Sequence, residues 1–173
     1  SAFLGEVSRL KTALETFTGR IIEETTLRES IVRYNSNRRL LRQLYEFRKR
    51  NPSPISGTDA LLITLSSLLV PKDEHSLRLA ELLDFLPAQG AKMGLRPRIL
   101  LSAAVLDDTE LAETIEGLGG LVAVDDSCTG IRSFWDEVRE EGDPLEAIAD
   151  RYLQKIPCPR TFESSAREDF LMK

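Results

Sequence analysis

The sequence predicts an α/β chain in which a helical region precedes a parallel sheet. Three observations carry this. Apolar residues recur at helical spacing through the first half. Prolines and glycines punctuate that half into separate helices. From Arg96 the pattern changes to short continuous apolar runs, Arg98-Ile-Leu-Leu-Ser-Ala-Ala104 and Leu121-Val-Ala-Val124, separated by one short helical pattern.

Taken in order, Leu10, Leu14 and Phe17 define a first helix, and Gly19 supplies its stop. Thr26 with Glu29 three residues on reads as a capping box for a long helix through Ile31, Tyr34, Leu41, Leu44 and Phe47, ending near Arg50. Asn51-Pro-Ser-Pro54 breaks it, because proline lacks a backbone donor and disfavours helix in the residue before it. Ser56-Gly-Thr-Asp59 starts an apolar helix over residues 60–70, expected to be buried and too short to span a bilayer. Pro71 closes it. Residues 73–86 hold a further helix with Leu77, Ala80, Leu83 and Leu86 on one face.

Arg98–Ala104 then reads as a strand covered on both faces. Leu106-Asp-Asp-Thr109 opens a helix through Leu111, Ile115 and Leu118 that Gly119-Gly120 ends, and residues 121–124 form a second strand. Strand, short helix, strand is a βαβ unit with a right-handed crossover. Asp143 as N-cap with Pro144 at the first position starts another helix, to about Gln154. A last helical pattern begins at Ser164 and runs to the final residues without a following strand. Two strands make a poor sheet. The expected organisation is therefore a helical region over residues 1–93 packed on the start of a Rossmann-like or flavodoxin-like α/β domain over 94–173, truncated or completed by another chain.

Composition narrows the function. With 28 acidic against 23 basic side chains the formal charge is −5, which disfavours a nucleic-acid partner. Apolar residues make up 42 % of the chain, enough for a folded core. No apolar run reaches membrane-spanning length and the first residues lack a secretory pattern, so neither membrane nor export is expected. Two cysteines, Cys128 and Cys158, are too few for a disulfide scaffold, and a cytoplasmic, reduced chain is the simplest expectation. No glycine-rich phosphate loop is present, which disfavours direct use of ATP or NAD.

The segment richest in chemistry is Val124-Asp-Asp-Ser-Cys-Thr-Gly-Ile-Arg132, at the carboxyl end of the second strand, where open α/β sheets place ligands. Ser127, Thr129, Gly130 and Arg132 are its candidate cofactor-binding residues, and Cys128 is a candidate metal ligand. Ile156-Pro-Cys-Pro-Arg160 holds Cys158, the second candidate ligand, between prolines. Thiolates are the usual ligands of iron–sulfur clusters, but two cysteines without CxxC spacing leave open a structural thiol and a turn cysteine. Seven basic residues between Arg33 and Arg50 face one acid, Glu46; they read either as an attraction for phosphates or as a solvated, carboxylate-paired helix face. His75, the one histidine, reads as a surface residue near a helix start. Phe134 and Trp135 read either as a cover for the strand-end pocket or, more simply, as core packing, and residues 136–141 as a solvated helix end.

The tract Arg33-Tyr-Asn-Ser-Asn-Arg-Arg-Leu-Leu41 leading into Asn51-Pro-Ser-Pro-Ile-Ser-Gly57, then Arg98-Ile-Leu-Leu101, Asp125-Asp-Ser-Cys-Thr-Gly-Ile-Arg132, Asp143-Pro-Leu-Glu-Ala-Ile-Ala-Asp-Arg-Tyr-Leu153 and Pro157-Cys-Pro159 resembles, in this order, the 2-hydroxyacyl-CoA dehydratase D-component family, which includes subunits of benzoyl-CoA reductase. The resemblance implies a cytoplasmic lyase component carrying a [4Fe–4S] cluster, acting on an acyl-CoA through a radical elimination of water. It also implies a related second subunit in a heterodimer and an ATP-dependent activator protein that supplies the electron. Family subunits are about twice this length and bring further cysteines. The expectation is thus a fragment, with the cluster in the full-length protein and none bound by this piece alone. Dearomatising benzoyl-CoA reduction and a non-catalytic scaffold half are the alternatives, and no catalytic residue is assigned.

Overall fold

A computed structural model describes residues 1–90, 93–155 and 169. It is a helix-rich, mixed α/β structure with a small parallel sheet. The described elements are α1 (Ala2–Thr18), α2 (Glu24–Arg48), α3 (Gly57–Leu69), α4 (Lys72–Phe85) with a 3-10 turn Leu86–Gln89, β1 (Arg98–Ser102), α5 (Glu110–Gly117), β2 (Leu121–Asp126), α6 (Ile131–Phe134) and α7 (Pro144–Leu153). No helix among the described residues is long and apolar enough to cross a membrane. The chain divides into two compact units, Ser1–Val32 with Asp136–Lys173, and Arg33–Trp135.

In the first unit, α1 ends at Gly19, whose φ of 66° is the left-handed conformation that glycine adopts without steric cost. Glu15 then accepts the Ile22 amide at 2.8 Å, which fixes the turn into α2. That helix begins at Glu24 rather than after a Thr26 cap. Glu24 sits in the positive first turn and pairs with Arg28 at 2.5 Å, and the Leu27 amide is taken by the Glu23 carbonyl. Asp143 caps α7 as its sequence promises, accepting the Glu146 amide at 2.8 Å. Ile31, Val138 and Ala147 form the small core of this unit. Residues 136–141 are not helical: Val138 is buried there, and the Asp136 carbonyl accepts from Arg151 at 3.1 Å. The helical pattern from Ser164 lies outside the described residues, apart from 169.

The second unit is built on the later turns of α2. Leu41, Leu44 and Tyr45 pack with Ile55, Ala60, Leu79, Leu83, Leu86, Ile131 and Phe134 in one apolar cluster. Ser56 caps α3 by accepting the Asp59 amide at 2.9 Å. Only one face of α3 is buried, through Ala60, Leu61, Thr64 and Ser67, while Leu62, Leu68 and Leu69 are exposed. Small residues on the inner face let α3 approach β2 closely: a side chain at Gly57 would meet the Val122 carbonyl oxygen at 2.3 Å. On α4 the buried stripe is His75, Leu79 and Leu83, and Leu77 is exposed.

β1 and β2 pair in parallel through α5, which gives the expected βαβ unit. The register runs from Arg98 beside Leu121 to Ser102 beside Asp126, with an irregularity between Ile99 and Leu100. Contrary to the two-sided burial expected for β1, its residues alternate between exposed and half-buried, whereas β2 is buried at Leu121, Val122, Asp125 and Asp126. Glu116 on α5 ties the unit together by accepting the Gly57 amide at 2.7 Å and the Thr58 hydroxyl at 2.7 Å.

Candidate functional site

Two adjacent carboxylates at the carboxyl end of β2 organise the site. Strand geometry sends successive side chains to opposite faces, so Asp125 and Asp126 find different partners. Both are buried. Burying an anion is costly unless it is paired, and each carries its own arginine.

Asp125 turns toward α2. Its carboxylate accepts from Arg48 Nη1 at 2.5 Å and from the Tyr45 hydroxyl, which lies 2.7 and 2.8 Å from the two oxygens. Arg48 is 2 % exposed; it also donates to the Val122 carbonyl at 2.9 Å, and its guanidinium lies 4.3 Å from the centre of the Tyr45 ring. Among the described residues its Nε has no hydrogen-bond partner. Burial pushes the Tyr45 phenol above its ordinary range, the Asp125 charge acts in the same direction and Arg48 opposes it, so Tyr45 remains a neutral donor. Phe134 of α6 packs edge-on against Tyr45, with ring centres 4.8 Å apart.

Asp126 turns to the other side. Arg132 grips it with Nε to Oδ1 at 2.7 Å and Nη2 to Oδ2 at 2.9 Å, the two-pronged geometry that suits a planar guanidinium. The same Nη2 donates to the Asp126 carbonyl, and the Ser102 hydroxyl donates to Oδ2 at 2.9 Å. Arg132 is as buried as its partner.

Between the two pairs the chain turns through residues 127–130. The Ser127 hydroxyl accepts the Gly130 amide at 2.8 Å, and the Cys128 amide donates to the Ala104 carbonyl at 2.8 Å. The Thr129 hydroxyl donates to the Leu106 carbonyl at 2.6 Å and accepts the Leu106 amide at 3.0 Å, which stitches the loops after β1 and β2 together. Gly130 is forced by space: a Cβ there would lie 2.1 Å from Asp125 Oδ2 and 2.6 Å from the Asp125 carbonyl oxygen. Half-buried Cys128 receives the remaining direction of the guanidinium, Arg132 Nη1 lying 3.8 Å from Sγ.

Ser127, Cys128, Thr129, Gly130 and Arg132 are therefore neighbours in one rigid loop. Cys158 lies outside the described residues. Among the described residues no group of three or more His, Cys, Asp or Glu side chains is arranged to hold a metal ion. A [4Fe–4S] cluster is held by four cysteine thiolates as a rule, and Cys128 is the single thiol described; these residues do not by themselves fit such a cluster. What the loop can do chemically is present one thiol with a fixed direction, beside a guanidinium whose charge Asp126 balances.

The sequence reading missed Tyr45 and Arg48 as partners of this loop. The signal was present: residues 41, 45 and 48 share one helical face, so an arginine at 48 faces the core and needs a buried acid. The other basic residues of that tract are engaged along the fold. Arg38 donates to Asn35 at 2.8 Å, Arg42 to the Trp135 carbonyl at 2.7 Å, Arg33 pairs with Asp73 at 3.3 Å and Lys49 with Glu46 at 2.6 Å. His75 is buried, not superficial: Nδ1 lies 2.7 Å from the Asn37 amide nitrogen and Nε2 lies 3.1 Å from the Ile63 carbonyl.

Comparison with known proteins shows what the chain as a whole is similar to. A family model described as 2-hydroxyglutaryl-CoA dehydratase, D-component, matches residues 1–173. The chain is 29 % identical over 156 residues to a benzoyl-CoA reductase subunit of Thauera aromatica, covering 88 % of this chain and 40 % of that one. It is 31 % identical over 158 residues to YjiM of Escherichia coli (strain K12), named as a dehydratase subunit, with 86 % and 40 % covered. Over 142 residues it is 20 % identical to the (R)-phenyllactyl-CoA dehydratase beta subunit of Clostridium sporogenes, with 82 % and 38 % covered. The chain spans about two fifths of the length of these relatives.

Proposed function

Because the chain belongs to the 2-hydroxyglutaryl-CoA dehydratase D-component family, we propose that it is part of a dehydratase subunit whose complete form removes water from an (R)-2-hydroxyacyl-CoA. The family match over the whole chain carries this reading. Relatives named for acyl-CoA dehydration and reduction support it.

In its finer form the proposal includes a [4Fe–4S] cluster in the complete protein, a radical elimination, a related second subunit and an ATP-dependent activator, in the cytoplasm. Most cluster ligands then come from outside the described residues. Within this chain the cofactor-facing role falls to the loop of Ser127, Thr129, Gly130 and Arg132, with Cys128 and Cys158 as the thiols offered. In this reading Arg132 and Ser127 act by holding the loop, since their polar atoms are already engaged. A second reading, a benzoyl-CoA reductase-type subunit, is favoured by the Thauera relative; a non-catalytic scaffold half of such a heterodimer is the remaining alternative.

The test is an anoxic incubation of the complete protein, its partner subunit and the activator with ATP and either an (R)-2-hydroxyacyl-CoA or benzoyl-CoA, followed by mass spectrometry of the thioester. Loss of one water from the hydroxyacyl thioester supports dehydration. Hydrogen gained on the ring of benzoyl-CoA alone supports the second reading, and two unchanged thioesters overturn both.

A further inference from the structure

The two outer edges of the small sheet differ. In an extended strand the amide and carbonyl of one residue point to the same side, and that side alternates from residue to residue. The Pro97 carbonyl accepts the Leu121 amide at 2.9 Å and the Ala103 amide donates to the Asp126 carbonyl at 3.1 Å, so residues 97 and 103 both face β2. The extra residue at the register irregularity lies in β2, since Ile99 pairs with Val122 and Leu100 with Val124. The alternation along β1 is therefore unbroken, and Arg98 and Leu100 turn their backbone groups away from β2. At the far edge of β2 the corresponding groups are taken. The Val122 carbonyl accepts from Arg48 at 2.9 Å, the Val122 amide donates to Glu116 at 3.3 Å, and the Asp125 carbonyl accepts the Ser127 amide at 3.1 Å. α3 also lies against that edge, with Gly57 at the Val122 carbonyl. On the side of β1, Arg98 is exposed, Leu100 is 51 % exposed, and among the described residues β2 is the one strand paired with β1.

We propose that β1 is an interior strand of the complete protein, its outer edge taking a further strand from the same polypeptide outside these 173 residues. The sheet grows on this side because the side chains of Arg48 and Glu116 close the other. A two-stranded sheet is marginal by itself, and the outward amides and carbonyls of Arg98 and Leu100 offer an added strand its hydrogen bonds. Length supplies the occupant. The aligned segment makes up 40 % of the relatives, so a member of this family has more than half of its chain to draw on. A strand tethered to the same polypeptide also arrives at an effective concentration that a separate molecule does not match. With it in place, the carboxyl end of β1, beyond which Thr129 holds Leu106, lies inside the sheet rather than at its rim. This rests on the family assignment with its longer subunits, and not on the chemistry proposed above.

Hydrogen exchange resolved to single amides, on the complete protein, tests this. The Leu100 amide is expected to exchange at least ~100-fold more slowly than an unprotected amide. Leu100→Pro spares the bonds to β2 but removes this donor, and is expected to lower the urea midpoint further than Leu100→Val. A structure of the complete protein is expected to show a strand from outside residues 1–173 beside Leu100. A Leu100 amide that exchanges freely, or a Leu100→Pro variant as stable as Leu100→Val, overturns the proposal. So does a neighbouring strand drawn from these 173 residues, from a second copy or from a separate subunit. None of these readouts depends on turnover, so a failed dehydration assay leaves them standing.

Discussion

At residue scale the strand-end loop rests on two arginines buried against two aspartates. Replacing one partner strands the other charge, which costs far more than the pair contributes net. Asp125→Asn is expected to lower the unfolding free energy by about 3–5 kcal/mol in urea denaturation. Arg48→Met combined with Asp125→Asn is expected to recover much of that loss, because no unpaired cation remains; equal losses for the single and double variants would contradict the pairing. Gly130→Ala is expected to destabilise by about 1–3 kcal/mol or more, since its new methyl group meets the Asp125 carbonyl and carboxylate oxygens and a backbone atom cannot swing aside. Composition alone could not separate Arg48 from the exposed basic residues around it. Only the helical face it shares with Leu41 and Tyr45 does so.

His75 gives a pH-dependent prediction. Its neutral ring donates from Nε2 to the Ile63 carbonyl and accepts at Nδ1 from Asn37. Burial lowers its pKa, the nearby Lys72 charge acts in the same direction, and the bond to Ile63 opposes them. The folded pKa lies below the unfolded value of about 6.5. The neutral ring therefore contributes stability that is fully present above pH about 6.5 and lost as pH falls toward the folded value. Between pH 7.5 and 5.5 the urea midpoint of the native chain should fall further than that of His75→Gln; parallel declines would show that His75 is not the titrating group.

At the scale of elements, the helices with an explicit start signal were the ones the sequence revealed best. Ser56 and Asp143 cap α3 and α7 as expected, and the prolines after α2 end it. The facing of α3 was not legible, because its apolar run is nearly continuous and gives no periodic clue. Its inner face is instead marked by small residues, Gly57, Ala60, Thr64 and Ser67, and at Gly57 an added side chain would meet the Val122 carbonyl of β2. Ser56→Ala should therefore cost about 1 kcal/mol, while Leu62→Ser, on the exposed face, should change stability by no more than about 0.5 kcal/mol. A large loss at Leu62 in thermal unfolding would mean that the exposed face is covered. The single turn α6 left no periodic trace in sequence, being shorter than one heptad, and is held by Phe134 in the core.

At the scale of the molecule, strand, helix, strand and the place of residues 127–132 after the carboxyl end of β2 were readable, because parallel connectivity follows from element order. The pairing that rigidifies the loop was not readable, since it joins residues 77 positions apart. On the proposed function the cluster belongs to a longer subunit: the whole chain has two cysteines, and the aligned segment makes up about 40 % of the relatives it matches, which are therefore more than twice as long. Iron content after anoxic reconstitution tests that claim most directly. The complete protein is predicted to bind about four irons per subunit and the 173-residue chain under the same treatment none; a stoichiometric cluster in the chain alone, or a colourless, iron-free complete protein, would contradict it.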